Sequence, residues 1–150
     1  MQLTLHADYA LRVLLYLGLH PGRLVPTHEI SRAYGISANH LVKVILHLNQ
    51  RGLIQSRRGR AGGIRLAKSP SEINIGKVLR VMEPDWNLVE CLEPRTNTCP
   101  IQPICGVIPL LEEALQAFLD VLDSHTLADV LNNASPEQFE AMFQATAAQA

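Results

Sequence analysis

The sequence has 150 residues, of which 47% are hydrophobic and 18% are charged, and its net charge at pH 7 is −1. This length and balance predict one compact domain with room for an appended dimerisation element, and they exclude a disordered chain. No apolar run approaches the roughly 20 residues of a membrane-spanning helix, so no membrane partner is expected. Residues 1–8 lack the basic start and cleavage site of a signal peptide, which predicts a cytoplasmic location.

Three helices are predicted in the first third of the chain. The first covers residues 7–20 and ends at a proline–glycine pair, and Thr27 is expected to cap a short second helix. Gly35 then provides the turn, and Ser37 caps a third helix over residues 38–50. The apolar residues expected on the buried face of the third helix are Leu41, Val42, Ile45, Leu46 and Leu48.

A basic hairpin is predicted after the third helix. Residues 53–54 and 64–66 form two short apolar strands, and the loop 57–63 between them is rich in arginine and glycine. Asn74 then caps a helix over residues 75–82. This order of helix, short helix, turn, helix and hairpin is typical of a winged helix-turn-helix, whose recognition helix enters the major groove of DNA.

Charge is distributed unevenly along the chain. Between Ile30 and Ser71 there is no Asp or Glu, yet eight of the thirteen Lys and Arg residues lie there. From Glu83 to the end there are eleven acidic residues and one basic residue, Arg95. A basic region without acids predicts a surface for a polyanion, and we expect double-stranded DNA as the partner.

The candidate DNA contacts are at the start of the third helix and in the hairpin loop. Asn39 can read adenine, and Lys43 can meet guanine or a phosphate. Arg58, at the tip of the loop, suits a narrow minor groove, where the potential is most negative. The full set of predicted DNA-contacting residues is Thr27, Ser37, Asn39, His40, Lys43, Arg57, Arg58, Gly59 and Arg60.

The second half of the chain predicts a mainly α fold completed by a long C-terminal dimerisation helix. A helix over residues 104–124 carries an apolar stripe broad enough to face both its own domain and a second subunit. That stripe contains Val107, Leu111, Leu115, Phe118 and Leu122, widened by Ile108, Leu119 and Val121. The expected units are a winged helix-turn-helix domain (1–83), a cluster-binding loop (84–106), the dimerisation helix with a following turn (107–133), and a helical tail of unassigned function (134–150).

All three cysteines lie within fifteen residues, at Cys91, Cys99 and Cys105. Their Cys-x7-Cys and Cys-x5-Cys spacings lack the close pairs of a zinc knuckle, and one chain cannot supply four cysteines to an iron–sulfur cluster. The residues leave three interpretations open: an iron–sulfur site with a ligand from elsewhere, a thiol sensor, or cysteines that bind nothing.

The sequence resembles the NsrR-type nitric-oxide-sensing repressors, which are relatives of the IscR-type iron–sulfur regulators. The resemblance covers about 130 residues. It rests on residues 1–4, 8–12, 35–43, 58–66, 75–76, 82–84 and 126–129, together with the three cysteines. It implies a homodimeric repressor that binds a pseudo-palindromic operator and releases it when nitric oxide reacts with an iron–sulfur cluster.

The resemblance also implies the ligands of that cluster. NsrR-type proteins are implied to hold a 4Fe–4S cluster with three cysteines and an aspartate of the partner's first helix, which matches Asp8. The histidine used by IscR-type proteins corresponds to Ile108 here, which cannot be a ligand. Rival fourth ligands are His6, glutathione and water.

The alternative function is a winged-helix regulator that senses iron–sulfur or redox status through a 2Fe–2S cluster or bare thiols. Since no substrate loop, phosphate cradle or nucleophile–base pair is recognisable, we do not expect an enzyme.

Overall fold

The architecture comes from a computed structural model that describes residues 2–59, 61–93 and 95–147, the last three of these by backbone alone. Within these ranges the fold is mainly α, with a two-stranded antiparallel sheet, as predicted. The helices are α1 (Leu5–Leu19), α2 (Thr27–Tyr34), α3 (Ala38–Gln50), α4 (Ile75–Met82), α5 (Val107–Asp123), α6 (Leu127–Leu131) and α7 (Pro136–Ala147), and the strands are β1 (Ile54–Arg57) and β2 (Gly63–Leu66). None of these helices is long and apolar enough to cross a membrane.

The hydrophobic core lies in a unit that we call the helical head, residues 5–82. All buried hydrophobic residues except Leu119 and Leu127 fall between Ala7 and Met82. Helix α1 runs through the middle of the head and contacts α2, α3, α4 and β2. The largest side chains that are fully buried there include Leu14, Leu17, Ile30, Leu41, Leu48, Ile54, Ile73 and Leu79.

Capping residues explain where the first two helices begin. Thr4 Oγ1 accepts a hydrogen bond from Ala7 N at 3.2 Å, so α1 starts two residues before the predicted position. The predicted cap of α2 is wrong. Thr27 is the first residue of that helix, and Pro26 takes the extended capping position without a side-chain hydrogen bond. The fixed φ of proline allows this position, and its missing N–H costs nothing at a helix start.

Helix α3 has the predicted bounds, but part of its predicted buried face is wrong. Gly35 ends α2 in the left-handed conformation, at φ 63°, and Ser37 Oγ accepts from His40 N. The buried residues of α3 are Leu41, Val44, Ile45 and Leu48. Val42 and Leu46 are 58% and 57% exposed. The spacing i, i+3, i+4, i+7 from Leu41 selects the buried set and turns Val42 and Leu46 away from it.

The hairpin is fixed to the head by a third extended segment. Ile54 pairs with Leu66 and Arg57 pairs with Gly63, so the loop between the strands is shorter than predicted. Val25, in the linker between α1 and α2, exchanges backbone hydrogen bonds with Ile64 at 2.8 and 2.9 Å. The wing therefore moves with the helices rather than as a free arm.

Helices α4 and α5 meet in a close junction around Asp123. Asn74 caps α4 and donates from Nδ2 to the Asp123 carbonyl oxygen at 2.6 Å, while Arg80 forms a salt bridge with the Asp123 carboxylate. A Cβ at Gly76 would overlap Asp123 Oδ1, so the approach requires glycine. The helix predicted over 104–124 begins only at Val107, because Gln102–Ile104 forms a turn of 3₁₀ helix.

The predicted tail helix is present as α7. Ser135 and Gln138 cap its start reciprocally, with Ser135 N donating to Gln138 Oε1 at 2.8 Å. Helix α7 packs against α2. The ring of Phe143 lies 5.3 Å from that of Tyr16 and 5.1 Å from that of Tyr34, so the tail reaches the end of the helix-turn-helix.

Candidate DNA interface and metal centre

The predicted contacts of α3 lie together on the surface. Ser37, which caps α3, and Asn39, His40 and Lys43 in its first half are all exposed. The ring of His40 lies 6.3 Å from that of Tyr9 on α1, which fixes one side of this surface. Thr27 lies apart from them, half-buried at the first residue of α2. Helix starts with exposed polar residues are suited to phosphates and base edges.

The wing presents its basic residues to solvent. Arg57, at the end of β1, and Arg58 and Gly59, in the loop, are exposed, whereas the predicted contact Arg60 lies outside the described residues. Sequence reasoning did not select Gln55 and Arg65. Arg65 Nη2 donates to Gln55 Oε1 at 3.1 Å across the strands, and both residues line a cavity of about 250 Å³ that Arg57 also borders. Alternation along the two strands could have indicated them.

Two acidic residues of the helical head, Glu29 and Asp8, each form an ion pair with an arginine. On α2, Glu29 accepts from Tyr16 Oη at 2.8 Å and forms an ion pair with Arg23. Burial alone would raise the pKa of Glu29, but these hydrogen bonds and the Arg23 charge lower it below its ordinary value. The negative charge on α2 is therefore compensated, and the basic character of the neighbouring α3 surface is preserved.

Asp8 is linked to the helix-turn-helix through Arg12. Arg12 Nη2 lies 2.7 Å from Asp8 Oδ2, and Arg12 Nε donates to Asp8 Oδ1 at 3.2 Å. The same guanidinium lies 5.6 Å from the ring centre of Tyr9 and 5.8 Å from that of Tyr34. Burial raises the pKa of Tyr34 to about 12, so its phenol stays neutral. Tyr34 is the last residue of α2 and precedes the Gly35 turn. Asp8 is therefore connected to this turn through two successive contacts, from Asp8 to Arg12 and from Arg12 to Tyr34.

The rival ligand His6 is engaged within its own chain. Its Nε2 lies 3.0 Å from His47 Nδ1 on α3, and Arg51 Nε donates to His47 Nε2 at 3.2 Å. Burial and the neighbouring His47 lower the pKa of His6. His6 therefore joins α1 to the end of α3 in the subunit described here.

The cysteine segment, residues 84–106, contains no fully buried residue among those that the structure describes. Cys91, Cys99 and Cys105 are free thiols of intermediate exposure. In the described part of one chain, no three His, Cys, Asp or Glu side chains are grouped so that they could hold a metal ion. The chemistry of these three side chains nevertheless fits an iron–sulfur centre, because cysteine thiolates are the usual ligands of such clusters.

Helix α5 has two different apolar faces. Leu119 is buried, and Phe118 contacts Trp86 of the cysteine segment with ring centres 6.3 Å apart. On the other face, Val107, Leu110 and Val121 are 55%, 63% and 61% exposed. The apolar stripe that was predicted for this helix contains residues of both faces. Val107 belongs to the exposed one, whereas Leu111, Leu115, Phe118 and Leu122 are half-buried.

Comparison with known proteins finds relatives that are named as transcriptional regulators. Residues 3–133 match the Rrf2 family, described as "Iron-dependent Transcriptional regulator". The chain is 49% identical over 134 residues to the HTH-type transcriptional regulator NsrR of Bacillus subtilis, covering 89% of this chain and 92% of the relative. The NsrR of Halalkalibacterium halodurans is 50% identical over the same length, with the same coverage.

Solved structures show the same fold. IscR of T. potens is similar with a TM-score of 0.73 and 27% identity, over 92% of this chain and 91% of that chain. CymR (YrzC), the global cysteine regulator of B. subtilis, has a TM-score of 0.72 and 26% identity, over 90% and 99%. The predicted resemblance to NsrR is confirmed, and the relatives are named as transcriptional regulators, a role that is not enzymatic and implies DNA binding. The chain belongs to the Rrf2 family of iron-dependent transcriptional regulators.

Proposed function

We propose that the protein is a homodimeric repressor that senses nitric oxide through an iron–sulfur cluster, of the 4Fe–4S type, and releases a pseudo-palindromic DNA operator in response. The observation that carries the proposal is the position of all three cysteines. They lie in a segment without a core of its own, between the helical head and α5. The resemblance to NsrR-type repressors supplies the signal, and the basic α3 and wing supply the DNA surface.

The proposed ligands are Cys91, Cys99, Cys105 and the partner's Asp8. When bound, the cluster supplies iron that reacts with nitric oxide. A carboxylate is a harder ligand than a thiolate and binds soft iron less firmly, so Asp8 is the ligand expected to be exchanged most easily. In the described part of a single chain the three cysteines are not grouped as ligands, so the proposal requires the segment to rearrange around the cluster and the partner to supply the fourth ligand.

The exposed face of α5 is the proposed dimer contact. Apolar or small residues recur there at intervals of three and four: Val107, Leu110, Ala114, Ala117 and Val121. Such spacing forms one seam along a helix, and burying it requires a second helix. Pairing of α5 with its copy would place two α3 helices on one side of a dimer, as successive half-sites of a DNA duplex require.

Asp8, Arg12 and Tyr34 form the proposed connection from the cluster to the DNA surface. If Asp8 held the cluster, its carboxylate would share its charge between the metal and Arg12, and loss of the cluster would leave Arg12 as its partner. Because Arg12 also lies over Tyr34, such a change would act on the residue that precedes the Gly35 turn. A 100-fold loss of operator affinity corresponds to about 2.7 kcal/mol, which is within the usual range of coupling between two sites.

The proposal is tested by titrating anaerobically purified protein with nitric oxide while recording iron absorbance and operator binding together. We expect both signals to change over the same range of nitric oxide. A loss of DNA binding without a change in iron absorbance would exclude sensing through the cluster. Iron-free, colourless protein that still responds to oxidants would instead support the thiol alternative.

Mixed dimers test whether Asp8 acts across the subunit interface. One subunit carries Asp8→Ala, and the other carries Cys91→Ser, Cys99→Ser and Cys105→Ser. If Asp8 binds the partner's cluster, this dimer keeps one complete site and shows half the wild-type absorbance, with the wild-type rate of reaction. If Asp8 binds within its own chain or not at all, the one remaining set of cysteines behaves as in the Asp8→Ala homodimer, with half its absorbance and the same rate of reaction.

A further inference from the structure

Helix α3 has a second stripe of residues, opposite its buried face. Asn39, Val42, Lys43 and Leu46 follow the spacing i, i+3, i+4, i+7, so they lie on one side of the helix. The buried set has the same spacing and is shifted by two residues, which turns the two stripes about 200° apart. We call this second set the outer stripe. All four of its members are exposed.

The outer stripe contains apolar residues that no packing within the head explains. Val42 and Leu46 are 58% and 57% exposed. The charges around them indicate what covers them. They lie in the region without acids between Ile30 and Ser71, next to Lys43. The exposed apolar residues of α5 differ, because Glu112, Glu113 and Asp120 lie on that helix and no basic residue does.

The absence of acidic residues around the outer stripe therefore favours DNA, rather than a second protein, as the partner that covers it. In the major groove, the one apolar group on the base edges is the C5-methyl group of thymine. Val42 lies in the second turn of α3, among the residues of a recognition helix that reach base edges. Asn39 precedes it by one turn and has the amide that pairs with adenine.

We infer that Val42 is a specificity-determining residue that contacts the methyl group of a thymine, beside an adenine read by Asn39. Helix α3 then selects neighbouring A·T pairs through one hydrogen-bonded contact and one apolar contact. The inference rests on the proposed function only in requiring that α3 enters the major groove, and it does not depend on the nature of the cluster.

The test uses deoxyuridine, which lacks only the methyl group of thymidine. Duplexes are first selected from a randomised pool with full-length, anaerobically purified protein, and each thymine of the best duplex is then replaced singly by uracil. We expect one thymine in each half-site whose replacement weakens binding about fourfold, the value for one buried methyl group. In Val42→Ala, the thymine and uracil duplexes should bind equally.

Two matched variants separate this effect from others. Leu46→Ala removes an equally exposed apolar side chain from the next turn and should keep the preference for thymine at the Val42 position. Lys43→Ala removes a charge and should weaken binding to both duplexes by the same factor. Because Val42 is exposed, its replacement should leave the unfolding temperature unchanged, and circular dichroism checks this.

Each remaining outcome has a definite meaning. If selected duplexes bind tightly but no uracil weakens binding, or if Val42→Ala keeps the thymine preference, the inference is wrong and DNA recognition stands. If Val42→Ala changes the oligomeric mass in solution, the outer stripe is a protein contact and the inference is wrong. If no duplex is selected at all, the proposed operator binding itself fails.

Discussion

The helical head and the cysteine segment differ in what holds them in place. The head encloses nearly all of the buried hydrophobic side chains, whereas the described part of residues 84–106 has no fully buried residue and only single turns of 3₁₀ helix. The head contains most of the hydrophobic core, which Leu127 of α6 completes, whereas little packing holds the cysteine segment. Regulatory segments are commonly drawn from such weakly held parts of a protein. The contrast is between a packed unit that carries the basic surface and a loosely packed segment that carries the three cysteines.

The largest expected effect tests the core of the head. Leu14→Ala removes a fully buried side chain of α1 and should lower the free energy of unfolding by about 2–5 kcal/mol. Cys99→Ser, in iron-free protein, should change it by less than about 0.5 kcal/mol. Chemical denaturation followed by circular dichroism measures both. A similar loss in the two variants would mean that the segment belongs to the core.

The junction between the head and α5 is tested by Gly76→Ala. An alanine in a helix ordinarily stabilises by about 1 kcal/mol relative to glycine. Here its methyl group overlaps Asp123 and disturbs the salt bridge with Arg80, so we expect a net loss of about 1–3 kcal/mol in thermal unfolding. Gly106→Ala, where a Cβ would meet open space, is the control and should not destabilise. A neutral Gly76→Ala would show that the junction can open.

The DNA surface of the head is tested by Arg58→Ala. In the proposed dimer, the loss of one arginine from each subunit should weaken operator binding and reduce the slope of log K against log salt by about 2, without changing stability. Binding measured from low to high salt gives the slope. An unchanged slope would contradict contact of the wing with phosphates or the minor groove.

A third region, helix α7, lies beyond the residues that match the family, and its attachment to the head is tested by Phe143→Ala. Phe143→Ala removes two aromatic contacts and should lower stability by about 1 kcal/mol, with faster proteolysis of the tail. Gln144→Ala, at an exposed position beside it, serves as the matched control. Proteolysis that leaves the tail as resistant as before would argue against docking through Phe143.

The smallest expected effect is the pH dependence of the Glu29 contacts. Because the folded pKa of Glu29 is below its ordinary value of 4.5, the charged form stabilises the fold fully above that value. This contribution, within about 1 kcal/mol for a partly exposed pair, is lost as the pH falls through the lower folded pKa. Unfolding temperatures of the wild type and Glu29→Gln should therefore converge at acidic pH. A difference that persists there would assign the effect to packing.

Local signals in the sequence were enough to predict much of the fold. Ser37 and Asn74 cap their helices as predicted, because capping depends on neighbouring residues. Val42 and Leu46 were placed on the wrong face, because apolar character alone does not distinguish an exposed side chain from a buried one. The contact of Arg12 with Tyr34 joins separate helices, so no local pattern could predict it. The three cysteines were found by their clustering in the sequence, but the cluster and the ligand expected from a second chain stay predictions.

The close approach of α4 and α5 at Gly76 has a consequence for operator choice. With no room for a methyl group between Gly76 and Asp123, we expect α5 and the head to move together. In the proposed dimer the separation of the two α3 helices is then set by the packing of α5. Inserting one base pair between the half-sites moves them about 3.4 Å apart and rotates them about 36° around the duplex axis. Such a junction cannot absorb that change, so the length of the operator's central spacer should be as strictly selected as its bases.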